Sequence, residues 1–137
     1  APPNFEIGRA VVLRAGFDLT LVATGSSLKS ALDAALELER TQGVQARVIS
    51  MHTIKPLDVE TILVAARETP WIVSIEEHSE IGGLGSAIAD ALTGYSGLRA
   101  RLARVALPDR HIDEIGSQAH LLSRLGSVAD RVRRAVA

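Results

Sequence analysis

Two acids and an imidazole stand directly after an apolar segment of this sequence, at a point where a strand would end. Glu76, Glu77 and His78 follow residues 71–75, and a glycine-rich segment, residues 81–86, comes next. Such groups at the end of a strand could transfer protons or bind a metal ion. Because charged residues after a fully apolar strand must leave the core, we expect this segment to lie at the carboxyl edge of the sheet, on a surface that faces a neighbouring domain or subunit. Adjacent side chains of an extended chain point to opposite faces, so Glu76 and Glu77 form no carboxylate pair unless the chain bends. For His78 the sequence leaves three roles open: catalysis, contact with another domain or subunit, and stabilisation of the local turn.

Two further segments contain groups that could bind an anion. Ser26 and Ser27 come after the apolar residues 19–23 and a Thr-Gly pair. Hydroxyls and amides at the start of a helix can hold an anion, although helix capping alone explains the same residues. Asp109 and Arg110 follow the apolar end of another predicted strand. They could form an ion pair that fixes the turn, or Arg110 could contact a phosphate.

Several common catalytic signatures are absent from the sequence. It contains no cysteine, which excludes disulfide bonds, thiolate zinc sites and a cysteine nucleophile. It also contains no Gly-x-Gly-x-x-Gly, no P-loop lysine and no Gly-x-Ser-x-Gly, so the indication of a nucleotide site is weak and a serine hydrolase is not indicated. His52 and His120 have no acid at metal-ligand spacing, and we interpret both as ordinary packing or surface residues.

Alternating strands and helices must position these segments. The predicted strands are residues 19–23, 45–50, 71–75 and 101–107. The first predicted helix runs from Ser27 to Gly43, the second begins at Asp58, and the third covers residues 85–92. One or two short helices are predicted from about Ser117 onwards. This alternation, about every 25 residues, implies right-handed crossovers and a mostly parallel α/β sheet with helices on both faces. Residues 9–14 are strand-like and precede the first crossover, so they could pair antiparallel at one edge.

Length and composition indicate one globular domain. Of the 137 residues 47% are apolar and 23% charged, and the net charge is −1. This charge gives no general attraction to nucleic acid or to an anionic membrane, and no apolar stretch approaches the ~20 residues that span a bilayer. The absence of cysteine fits the reducing cytoplasm. Residues 1–5 lack the pattern of a signal peptide, so we interpret residues 1–8 as a linker and residues 9–137 as the domain.

The order and spacing of several motifs resemble the C-terminal domain of transketolase-like enzymes. The most specific match combines Ile-Glu-Glu-His-Ser at 75–79 with Gly-Gly-Leu-Gly-Ser-Ala at 82–87. The other matching segments lie at residues 5–16, 18–26, 52–58 (His-Thr-Ile-Lys-Pro-Leu-Asp), 107–109 and 121–126. The resemblance covers essentially the whole chain and is greater to split-type transketolases and 1-deoxyxylulose-5-phosphate synthases than to long classical transketolases.

The resemblance implies a five-stranded, mostly parallel sheet with one antiparallel strand. It also implies an enzyme that transfers a two-carbon ketol unit between sugar phosphates with thiamine diphosphate and a divalent metal such as magnesium. In that family the cofactor is held by a pyrophosphate-binding domain, which carries a Gly-Asp-Gly motif, and by a pyrimidine-binding domain. This chain has neither the motif nor room for those domains. We therefore expect it to bind no cofactor or metal and to be inactive alone.

The expected role is assembly, interface formation or regulation in a cytoplasmic homo-oligomer. Its expected partners are the two cofactor-binding domains of the same enzyme, and the interface or ligand candidates are Glu76, Glu77, His78, Ser26, Ser27, Asp109 and Arg110. Two alternatives remain open. One is a partner-docking module like the C-terminal domain of a 2-oxoacid dehydrogenase β-subunit, and the other is a small anion-binding α/β protein.

Overall fold

The computed structural model describes residues 6–25, 27–76, 83–106 and 127–137. Its strands are β1 (Val11–Arg14), β2 (Leu19–Ala23), β3 (Ala46–Ser50), β4 (Trp71–Glu76) and β5 (Arg101–Ala106). Its helices are α1 (Ser27–Gln42), α2 (Val59–Glu68), α3 (Leu84–Thr93) and α4 (Val128–Val136).

The strands form one sheet in the order β1-β3-β2-β4-β5. Strand β1 pairs antiparallel with β3, and the pairs β2–β3, β2–β4 and β4–β5 are parallel. The predicted fold class, a mostly parallel five-stranded sheet with one antiparallel edge strand, is therefore confirmed. Because β1 is antiparallel, it begins at the edge where the parallel strands end, and Val11 lies opposite Ser50, the last residue of β3.

Side chains alternate between the two faces of the sheet and form two separate cores. Leu21 and Val73 pack in the core shared with α1 and α4, whereas Val22 and Ile72 pack in the core shared with α2 and α3. All four side chains are fully buried. An almost continuous apolar sequence is expected for a strand that is covered on both faces, and β4 has this environment.

Local signals predicted the helix ends well. Helix α1 ends just before Gly43, which has a φ of +66°, and Asp58 caps α2 by accepting a hydrogen bond from the Thr61 amide at 3.2 Å. Helix α4 lies in the predicted C-terminal helical region, while residues 107 and 117–126 of the predicted elements lie outside the described residues. In the part of the chain described here, no helix is long and apolar enough to cross a membrane.

Candidate functional site

Strands β2 and β4 lie side by side, but the helices that follow them pack on opposite faces of the sheet. Helix α1, after β2, packs in one core, and α3, after β4, packs in the other. In open parallel sheets ligands bind outside the carboxyl ends of strands at such a switch point. Glu76 ends β4 and Ser27 begins α1, so both candidates lie at the carboxyl ends of parallel strands, as the sequence predicted. The pairing of β2 with β4, which the sequence did not predict, places them at the switch point.

Glu76 is buried and bonded to the backbone of α3. Its Oε1 accepts from the Leu84 amide at 2.7 Å and its Oε2 accepts from the Gly85 amide at 2.8 Å. The side chain therefore caps α3 from outside the helix, where a negative charge also interacts favourably with the helix dipole. We expected the charged residues after β4 to leave the core, and this is wrong for Glu76, which is 5% exposed. Its charge is accommodated because unpaired helix amides supply donors.

Two glycines allow α3 to approach the sheet this closely. A Cβ atom on Gly83 would lie 1.9 Å from Oε1 of Glu76. A Cβ atom on Gly85 would lie 2.8 Å from Oγ of Ser74 and 2.9 Å from Cδ of Arg104. Neither glycine has a positive φ, so close approach, and not backbone conformation, requires glycine here.

The hydroxyl and amide of Ser27 are used within the fold. The hydroxyl oxygen lies 2.6 Å from the carbonyl oxygen of Thr24 and 3.0 Å from that of Ile75, so its hydrogen can be donated to either. The Ser27 and Leu28 amides donate to the carbonyls of Thr24 and Gly25. These bonds join the start of α1 to the end of β4. They also leave the Ser27 amide and hydroxyl with acceptors inside the fold, which does not favour anion binding by this residue, and the hydroxyl donates to carbonyls instead of capping helix amides.

The remaining candidates, Ser26, Glu77, His78, Asp109 and Arg110, lie outside the described residues. The structure thus brings Ser27 and Glu76 together through the end of β4. Among the described residues, no group of three or more His, Asp or Glu side chains could hold a metal ion.

A second polar cluster, which the sequence interpretation missed, lies at the same edge of the sheet. The side chains of His52, Thr53 and Asp58, which we call the clamp residues, contact residues 6–10, which we call the lead-in segment. His52 Nε2 donates to the Glu6 carbonyl at 2.7 Å, the Gly8 amide donates to Thr53 Oγ1 at 3.4 Å, and the Ala10 amide donates to Asp58 Oδ2 at 2.9 Å. His52 is therefore more than an isolated surface histidine.

Asp58 remains a charged acceptor in this cluster. Burial acts to raise the pKa of Asp58, but hydrogen bonds from the Ala10 amide and from the hydroxyl and amide of Thr61 lower it, as does the charge of Arg9. The net result is a pKa below the usual value. The sequence signal for the cluster was the motif at 52–58, although its partners in the lead-in segment are 45 to 48 residues away.

An apolar groove of about 260 Å³ lies between β1 and α2. Val12 and Val64 line it and are 52% and 41% exposed. Arg47 also lines the groove, but its guanidinium donates to the Gly16 carbonyl and to Glu68. Glu60 and Thr61 complete the polar part of the lining, and Ile49 its apolar part.

Comparison with known proteins identifies close relatives. The family model "Transketolase, C-terminal domain" matches residues 8–132. A 1-deoxy-D-xylulose-5-phosphate synthase of Heliobacterium modesticaldum is 40% identical over 128 residues, which are 93% of this chain and 19% of that protein. The 6-deoxy-6-sulfo-D-fructose transketolase subunit SqwH of Clostridium sp. is 40% identical over 132 residues, which are 96% of this chain and 40% of that subunit.

Solved structures give the same result. A split-gene transketolase, described as an inactive beta4 tetramer, superposes with a TM-score of 0.83 at 38% identity and covers 97% of this chain. The match covers 44% of that structure's chain. The chain therefore spans less than half the length of these relatives.

Proposed function

The chain belongs to the transketolase C-terminal domain family, and from this premise we propose that it serves the assembly of a transketolase-type transferase. The complete enzyme would transfer a two-carbon ketol unit between sugar phosphates. In this proposal the domain contributes contact surfaces and no catalytic group. A cytoplasmic location and a homo-oligomeric enzyme are parts of the same proposal.

The observation that carries the proposal is the bonding of Glu76. It belongs to the motif with the strongest resemblance to the family, and it lies where an open parallel sheet would bind a ligand. Both of its carboxylate oxygens accept hydrogen bonds from the backbone of α3. A carboxylate used in this way holds the start of α3 against the end of β4 and is poorly placed to accept a substrate proton.

Two surfaces favour contact with the rest of such an enzyme. The first is the carboxyl edge of the sheet, because the lead-in segment, which would continue from the neighbouring domain, lies there. The second surrounds β1, where large apolar side chains are exposed. These are Ile7, Val12, Leu13, Phe17 and Val64, with exposures from 37% to 86%. Of these, Val12 and Val64 line the same groove, and exposed apolar side chains that lie together are typical of sites that other domains or subunits cover.

The described residues give no indication of a site for the magnesium ion that accompanies thiamine diphosphate. A divalent cation requires several oxygen ligands, and the described side chains include no group of three or more acids and histidines that could hold one. We propose that the pyrimidine- and pyrophosphate-binding domains of the complete enzyme hold the cofactor. Residues 1–8 would then link the domain, residues 9–137, to those parts.

Calorimetry and sedimentation test this proposal. The 137-residue chain should show no heat of binding with thiamine diphosphate and magnesium and should not transfer ketol units. The complete enzyme should lose its oligomeric state when this section is deleted. Micromolar cofactor binding by the chain, or an unchanged oligomer and rate after the deletion, would contradict the proposal.

Glu77 and His78 are proposed contacts with the neighbouring domain. An exposed imidazole titrates near about 6.5, and burial or pairing with an acid changes this value. Imidazole NMR titrations of His78 should therefore differ between the isolated chain and the complete enzyme. Identical curves would restrict His78 to a local role.

The alternatives receive less support. An anion-binding protein would need free donors at Ser27, and the amide and hydroxyl of that residue bond within the fold. For Ser26, Asp109 and Arg110 the anion site remains a proposal that phosphate titration by NMR can test. The apolar surface around β1 would suit a docking module, but the relatives compared above are named as transketolases and a synthase.

A further inference from the structure

The lead-in segment has a defined shape. Residues 6–9 form a turn in which the Arg9 amide donates to the Glu6 carbonyl at 3.1 Å. Gly8 is its third residue and has a φ of +79°, a conformation that favours glycine at this position of a turn. The turn also packs on the β3–α2 connection, since a Cβ atom on Gly8 would lie 3.1 Å from Cγ of Pro56. The same Glu6 carbonyl accepts from His52.

We propose that the clamp residues, His52, Thr53 and Asp58, fix the direction in which the chain upstream of residue 6 leaves the domain. Pairing of β1 begins only at Val11, whereas the clamp bonds reach upstream from Ala10 to Glu6. The clamp therefore orders the five residues before β1. Residue 6 is therefore held at the carboxyl edge of the sheet, the edge that also contains Glu76.

Asp58 has two structural roles, the cap of α2 and the clamp bond to the Ala10 amide, and the substitution Asp58→Asn can separate them. Its Oδ1 accepts from the Thr61 amide and caps α2, whereas its Oδ2 accepts from the Ala10 amide and from the Thr61 hydroxyl. Asparagine caps helices about as well as aspartate. In Asp58→Asn, however, an amide nitrogen replaces one of the oxygens. When the remaining oxygen caps α2, the nitrogen faces the Ala10 amide, and two donors then oppose each other. This variant should open the clamp while α2 keeps its cap.

Limited trypsin digestion of the 137-residue chain tests the proposal. Trypsin cleaves after Arg9, whose side chain is 76% exposed, and cleavage requires the backbone around it to open. Asp58→Asn and His52→Ala should each accelerate cleavage after Arg9 by about 5- to 10-fold, the change in an opening equilibrium when one ordinary hydrogen bond is lost. Glu60→Gln is the matched control, because Glu60 is an acid in the first turn of α2 and makes none of the clamp bonds.

Cleavage after Arg47, which is buried in β3 and paired with β2, reports global unfolding in the same digests. Acceleration at Arg9 alone supports the clamp. Equal acceleration at both sites, or rates at Arg9 that match those of Glu60→Gln, would overturn it. This measurement uses only the chain itself, so its result is independent of the proposed function.

The orienting role rests on the proposed function and needs the complete enzyme. There, small-angle X-ray scattering should show a broader distribution of domain positions for Asp58→Asn than for Glu60→Gln. Identical scattering profiles would overturn the orienting role, even if the trypsin result established the clamp.

Discussion

The carboxylate of Glu76 occupies the space that a side chain on Gly83 would need, because a Cβ atom there would lie 1.9 Å from Oε1. The two residues stand seven positions apart: Glu76 ends β4, and Gly83 directly precedes α3. A buried strand can end in an acid here because the Glu76 carboxylate caps α3. Glycine precedes α3 because any larger residue would collide with that carboxylate.

The first prediction concerns this relationship. Gly83→Ala should destabilise the domain by about 2–3 kcal/mol, because either Glu76 loses its amide donors while buried or α3 moves away from the sheet. Urea unfolding measures the difference. Gly94→Ala is the control, since Gly94 has a φ of −83° and a Cβ atom there would contact nothing within 4 Å. Equal stability of the two variants would contradict the proposed packing.

The second prediction separates the charge of Glu76 from its capping role. In Glu76→Gln one oxygen still accepts from α3, but the amide nitrogen faces a second backbone donor. We expect a loss of about 1–3 kcal/mol in the free energy of unfolding. Asp90→Asn removes the same charge from an exposed position of α3 and should change stability by less than about 0.5 kcal/mol. A loss no greater than that of Asp90→Asn would show that the cap contributes little.

The third prediction concerns β4. Val73 is fully buried between two neighbouring strands, so Val73→Asp should place an unpaired carboxylate in the core and cost several kcal/mol, most of a stability of about 5–15 kcal/mol. Val64→Asp, at a residue that is 41% exposed, is the matched control. Urea midpoints that coincide for the two variants would mean that β4 is not a buried strand.

The fourth prediction concerns pH. The pKa of Asp58 is lowered in the folded protein, so its stabilising contribution is complete above the usual value of 3.8 and is lost as the pH falls through the lower folded-state value. The stability difference between the parent and Asp58→Asn should therefore be constant near neutral pH and decrease below about 3.8. Urea unfolding from pH 7 to pH 3 measures it. A difference that stays constant throughout would show that this carboxylate does not contribute in its charged form.

Local sequence determined the elements of this protein. The apolar residues of β4 predicted a strand covered on both faces, Gly43 predicted the end of α1, and Asp58 predicted the start of α2. Each signal works because its physical cause lies within a few residues: side-chain alternation, a glycine with positive φ, or a carboxylate near unpaired helix amides.

Only the tertiary structure decided how the polar residues are used. The sequence predicted that Glu76 lies outside the core. Nothing in residues 71–76 shows that the amides of Leu84 and Gly85 pack against the Glu76 carboxylate and supply its hydrogen bonds. His52 likewise looked isolated until the fold placed it against Glu6, 46 residues away. Burial of a polar group depends on whether a donor or acceptor from another element meets it, and that is a property of the packed sheet and helices and not of any one segment.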